Sequence, residues 1–199
     1  MRKVILDITM SLDGFVAGPN ISPDLPMGET GIRLHDWLFG SKSDQDAKII
    51  SEQVEKSGAV IVGGSTYHTA IDGAWGGETP FTVPAFVLTK NIPKNKKPGF
   101  TFVSDGIERA LILARATAGE KNVWIMGGAN TIQQYVKAGL FDELHIHVAP
   151  LLLGNGTRLF EQNGIGLMEF ENIETIKTVG ATHFKFRPAS VIQKLTLNN

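Results

Sequence analysis

The sequence predicts a single α/β domain whose mostly parallel, mixed sheet is flanked by helices and completed by a C-terminal antiparallel hairpin. Two observations carry this. Through the first two thirds of the chain, short apolar runs alternate with helix-length segments, the pattern of parallel strands joined by crossover helices. In the last third the helices stop and long alternating strands take over, ending in Thr182-His183-Phe184-Lys185-Phe186-Arg187, where Phe184 and Phe186 share one face. A length of 199 residues with 42% hydrophobic and 20% charged residues suits one ordinary globular domain.

The elements follow in order. Val4–Ile8 reads as a buried strand that runs into a loop through Asp13 and Gly14. Residues Pro19 to Ser43 form a long loop, with one short helix at most, held to the body by an apolar cluster of Leu34, Trp37, Leu38 and Phe39. Ser43 or Asp44 caps a helix through Lys56, ended by Gly58. Ala59–Val62 is a strand that Gly63-Gly64 turns into a short helix over Ser65–Ala70. Ala85–Leu88 and Thr101–Val103 are strands, and Asp105 with Glu108 forms a capping box for a helix stopped by Gly119. Val123–Met126 is a strand, Asn130–Ala138 a helix ended by Gly139, and Glu143–Ala149 a strand. Leu151–Phe160 is a glycine-bearing loop, and Met168 to Arg187 is a hairpin that turns near Gly180. The domain spans 1–188, leaving a tail over 189–199.

Composition narrows the function. A net charge of −1 with no dense basic run argues against nucleic acid or a membrane surface as partner. With no cysteine, disulfides, thiol nucleophiles and thiolate zinc sites are excluded. Asp7 and Asp13 interrupt the apolar amino terminus, so it does not read as a signal peptide, and no run reaches membrane-spanning length. A soluble, cytoplasmic protein is expected.

The most informative feature occurs twice. Val60-Ile61-Val62-Gly63-Gly64-Ser65-Thr66-Tyr67 is echoed by Val123-Trp124-Ile125-Met126-Gly127-Gly128-Ala129-Asn130-Thr131. In each, an apolar strand ends on a glycine pair and a helix begins at once. Bare backbone lets a ligand approach, and the free N–H groups of a helix start favour phosphate. Two such ends on one sheet edge suit a pyrophosphate; tight turns with no ligand are the alternative. A third strand ends Leu88-Thr89-Lys90, where a hydroxyl and an ammonium suit the extra phosphate of NADP, or form only a solvated strand end.

In order, Thr9–Ala17, Val62–Tyr67, Ile125–Ala129 and Asp142–Gly156 resemble the dihydrofolate-reductase-like superfamily, most nearly the reductase domain of the riboflavin-biosynthesis deaminase–reductase and its stand-alone bacterial relatives. The resemblance implies a three-layer dihydrofolate-reductase-like fold and a homodimer. It implies NADPH along the sheet edge, held by Gly63, Gly64, Ser65, Thr66, Leu88, Thr89, Lys90, Met126, Gly127, Gly128, Ala129, Asn130 and Thr131, with Ala17 near the nicotinamide. A small heterocyclic substrate is implied beside Ser11, Trp37 and Leu152, reduced as 5-amino-6-(5-phosphoribosylamino)uracil is in that family.

Hydride transfer still calls for a proton donor. Asp13 is the first candidate, with turn chemistry of Asp13-Gly14 as its alternative reading; Asp36 and Glu161 are weaker ones. His145 and His147 project from one strand face in a spacing that metal enzymes use, but without a visible third ligand they do not predict a metal. His35, His68 and His183 read as isolated. A non-catalytic NADP(H)-binding module remains the alternative to a reductase.

Overall fold

The structure, a computed structural model, describes residues 2–40, 43–161 and 164–189. The expected tail therefore lies outside the described residues beyond Ala189. Eight strands form one sheet. In chain order these are β1 (Val4–Ser11), β3 (Ser57–Gly63), β4 (Ala85–Leu88), β5 (Phe100–Val103), β6 (Asn122–Gly127), β7 (Glu143–Ala149), β9 (Phe170–Lys177) and β10 (Thr182–Pro188). Their order across the sheet is β5-β4-β3-β6-β1-β7-β10-β9, parallel except where β10 meets β7 and β9. A second, two-stranded sheet pairs β2 (Phe15–Ala17) with β8 (Thr157–Arg158), inside segments expected to be loop.

Four helices cover the large sheet: α1 (Asp44–Lys56), α2 (Gly64–Ala70), α3 (Ile107–Ala118) and α4 (Ala129–Ala138). Strand β3 shows why the central strands read as unbroken apolar runs. Ala59 and Ile61 face the core under α3 and α4, while Val60 and Val62 face a second core with Tyr67, Ile71, Val87 and Trp124. Both faces are covered, so no polar alternation is needed. The result is three layers, helices on either side of one mixed sheet.

Three local expectations differ. Ser43 does cap α1, accepting from Asp46 N, but the helix ends at Lys56 and Ser57-Gly58 already belong to β3. No capping box forms at α3: the cap is Gly106 at φ 102°, with no side-chain cap bond, and Asp105 accepts instead from Ser104 Oγ. The 19–43 segment holds a 3-10 turn over Gly31–His35 followed by a π turn over Asp36–Gly40. Leu34 and Trp37 are buried there, whereas Phe39 is exposed.

Candidate functional site

A cleft of about 650 Å3 runs along the C-terminal ends of β4, β3, β6 and β1. This is the edge where parallel α/β sheets present ligand sites, because helix starts and loops gather there. Leu88, Thr89 and Lys90 line it beyond β4; Gly63, Gly64, Ser65 and Thr66 beyond β3; Met126, Gly128, Ala129, Asn130 and Thr131 beyond β6; and Ala17 approaches from β2. Residues separated by more than 100 positions in the sequence thus share one wall.

The glycines make that wall close-fitting. A Cβ on Gly63 would stand 2.5 Å from Thr131 Oγ1, and one on Gly64 would stand 2.6 Å from Thr89 Oγ1. Each strand end is therefore pressed against a hydroxyl of its neighbour, and a side chain would displace the hydroxyls from the cleft. Gly128 caps α4 without any side-chain cap bond, so the first N–H groups of that helix are left for a ligand. Gly127 lies behind the wall with φ +106°, a backbone conformation L side chains rarely adopt, and its peptide to Gly128 is cis. It supports the turn rather than facing the cleft.

The expected substrate residues divide. Trp37 lines the cleft. Ser11 does not: it is fully buried, donating to Asp13 Oδ1 and accepting from Phe15 N. Leu152 is 71% exposed and lies away from the cleft. Asp13 is placed differently from a proton donor. Its carboxylate accepts from Ser11 Oγ, from Leu153 N at 3.1 Å and from Gly154 N at 2.7 Å. The Ser11 bond first, with the two amides, brings its pKa down to about 2. At neutral pH it is an acceptor that ties the loop after β1 to the loop after β7.

Asp7, Thr9 and His35, which were not expected at the site, also sit in the floor of the cleft. Asp7, Thr9, His35 and Trp37 line its β1 end. Strand register explains the grouping. Parallel pairing sets Asp7 against His145 and Thr9 against His147, and antiparallel pairing sets His147 against His183. Strict alternation then puts Asp7, His145, His147 and His183 on one face. Asp7 Oδ1 lies 3.2 Å from His147 Nε2, His147 Nδ1 lies 2.7 Å from His183 Nδ1, and His183 Nε2 lies 2.9 Å from Asp46 Oδ1 on α1. Trp37 packs over both histidine rings, 4.6 and 5.0 Å between centroids, and donates to Thr9 Oγ1 at 3.2 Å. His183 is thus no isolated residue, and His145 and His147 have carboxylates beside them after all: Glu143 bonds His145, and Asp7 bonds His147. Among the described residues, no group of three or more such side chains is arranged to hold a metal ion.

Electrostatics follow from that packing. Burial alone would raise Asp7, but the charge and hydrogen bond of His147 outweigh it and hold its pKa below the usual carboxylate value. Burial, then the proximity of His147, pushes His35 down to about 4. Burial and His147 likewise push His183 down, against Asp46. Among the described residues, two buried polar atoms on cleft-lining residues have no hydrogen-bond partner, His35 Nδ1 and Trp124 Nε1.

The sequence matches the RibD C-terminal domain over residues 2–181. The chain belongs to the RibD C-terminal domain family. The chain is also similar to two uncharacterized Bacillus subtilis proteins. YwjB is 29% identical over 168 residues, covering 81% of this chain and 84% of YwjB. YyaP is 26% identical over 171 residues, covering 80% of each. The riboflavin biosynthesis protein RibD of Bacillus amyloliquefaciens is 43% identical over 56 residues, 28% of this chain and 15% of that one.

Solved structures agree on the fold. A Shewanella sp. PV-4 protein assigned provisionally to riboflavin biosynthesis superposes with TM-score 0.71 at 22% identity, covering 94% of this chain and 99% of that one. Dihydrofolate reductase from Enterococcus faecalis, complexed with NADP(H), superposes with TM-score 0.59 at 16% identity, covering 94% and 97%. The fold is dihydrofolate-reductase-like, and a reductase-like function is what the family supports. No helix among the described residues is long and apolar enough to cross a membrane.

Proposed function

We propose that this protein is an NADPH-dependent reductase of a small heterocyclic substrate. The observation that carries the reading is the convergence of two glycine-lined strand ends and the Thr89-Lys90 strand end on one cleft. The donor set fits the cofactor. Ser65, Thr66, Thr131 and the uncapped start of α4 offer hydroxyls and N–H groups to a pyrophosphate; Thr89 and Lys90 suit the adenosine phosphate. When bound, the cofactor supplies the hydride, and the chain's part is to hold donor and acceptor carbons together and exclude water. Ala17 and Trp37 bound the space where a planar ring would meet the nicotinamide.

The carboxylate of Asp13 is committed to the loop anchors, which removes the first expected proton donor and favours a non-catalytic NADP(H)-binding module as the second reading. Asp7, in the cleft floor with His147 behind it, is the carboxylate positioned to accept a hydrogen bond from a bound ring. NADPH oxidation followed at 340 nm against a panel of pyrimidines, pterins and carbonyl compounds separates the two. Turnover with any member eliminates the binding-module reading; NADPH binding without turnover across the panel supports it. The same proposal places the protein in the cytoplasm as a homodimer, for which sedimentation equilibrium is the check.

A further inference from the structure

The two ends of the cleft differ sharply in charge. Lys90, beyond β4, is the one Lys or Arg among the described residues lining it, and β3 and β6 separate its strand from β1. At the β1 end the charged group is Asp7, surrounded by Thr9, His35, Trp37, Leu38 and Met27. Asp7 Oδ1 is taken by His147, while Oδ2 has no hydrogen bond to any of the described residues and lies 4.0 Å from His145 Nδ1. His35 Nδ1 is buried and has no partner. Nearby cations are committed elsewhere. Arg158, beside cleft-lining Thr157, donates to Asp13 O at 2.9 Å and sits 4.3 Å over the Phe15 ring, and Arg33 pairs with Asp36.

Resting on the reductase reading above, we infer that the β1 end of this cleft takes a planar, unphosphorylated heterocycle that donates an N–H to Asp7 and makes a second polar contact with His35 Nδ1. A phosphoribosylated ring would bring about two negative charges to an end of the cleft where, among the described residues, no Lys or Arg lines the wall beside the Asp7 carboxylate, and burying like charges together is costly. A flat ring meets the indole of Trp37 and the side chains of Leu38 and Met27, and its N–H satisfies an acceptor already in place. Asp7 is suited to accepting: His147 faces it from β7, His183 and then Asp46 stand behind His147, and His145 and Glu143 flank it. The histidines, against burial, hold the Asp7 pKa below the usual carboxylate value.

The test is a matched pair of probes, 5,6-diaminouracil and 5-amino-6-(5-phosphoribosylamino)uracil, with pterin as a larger unphosphorylated ring. Each is titrated calorimetrically into the full chain with and without NADPH. The inference expects at least one unphosphorylated ring to bind tenfold or more tighter than the phosphoribosylated probe. Asp7→Asn and, separately, His35→Phe should each weaken that ring tenfold or more while NADPH binding persists, which also reports that the variants are folded. Equal or tighter binding of the phosphoribosylated probe overturns the inference, as does ring binding indifferent to both substitutions or no ring binding at all. Loss of NADPH binding in the wild type strikes the reductase reading separately.

Discussion

His147 Nδ1 and His183 Nδ1 stand 2.7 Å apart, and each ring is braced at its other nitrogen by a carboxylate, Asp7 at 3.2 Å and Asp46 at 2.9 Å. Counting protons gives this arrangement a charge. With both carboxylates accepting, the three hydrogen bonds need three N–H groups, and two neutral imidazoles supply two. One ring of the pair is therefore an imidazolium. Nitrogen-15 NMR of histidine-labelled protein at pH 7 should show one imidazolium in the pair, and Asp7→Asn should return both rings to neutral tautomers. Two neutral rings in the wild type would contradict the count.

Acid should weaken the fold in two stages. His35 titrates at 6.5 when free and about 4 in the fold, so the unfolded chain binds more protons between those values. Its contribution is complete above pH 6.5 and is lost as pH falls through 4, a loss of about 3 kcal/mol at 1.36 kcal/mol per pKa unit. Glu143, brought from 4.5 to about 2 by its bond from His145 and then by Lys3 against burial, adds a second loss from pH 4.5 downward. Urea midpoints measured from pH 8 to 3 should fall in both windows, and His35→Phe should flatten the first.

Asp13→Asn should act on structure rather than on proton transfer. The substitution weakens the ties to Leu153 and Gly154 and lowers the urea midpoint, with the pH dependence of turnover unchanged in the folded protein. Disappearance of an acid-linked limb from the rate profile at unchanged stability would restore Asp13 as the donor.

Tyr135 gives a simple core test. Its hydroxyl is fully buried and donates to Ile107 O at 2.9 Å, tying α4 to the start of α3. Tyr135→Phe leaves that carbonyl without its side-chain partner and should cost about 1–2 kcal/mol, read as a lower Tm by calorimetry. Ile125→Ala, in the middle of β6 with both sheet neighbours packed on it, should cost about 2–5 kcal/mol.

The glycine-paired turns were legible in the sequence because their signal is local: an apolar run, two glycines and a helix lie within about ten residues. Nearly every residue named from them lines the cleft; Gly127 alone of that set supports it from behind. The Asp7 floor was hidden for the opposite reason. Asp7, His147 and His183 lie 36 to 176 positions apart along the chain, and only strand register makes them neighbours. The available hint was a polar side chain in each of three strands otherwise apolar on their other face: Asp7 among Val4–Ile8, His145 and His147 among Leu144, Ile146 and Val148, and His183 beside Phe184. Asp13 carried two readings, because Asp-Gly signals a turn as well as an acid, and its carboxylate accepts from Leu153 N and Gly154 N.

The most direct test of the cofactor cleft is calorimetric titration of NADPH and NADH into the wild type and Gly128→Asp. The aspartate Cβ would lie 3.3 Å from Thr66 Oγ1, and its carboxylate would enter the proposed phosphate cradle. The account predicts NADPH binding in preference to NADH in the wild type and at least a hundredfold loss in the folded variant. Wild-type protein that is folded yet binds neither cofactor, or a variant that binds NADPH as tightly as the wild type, would contradict it.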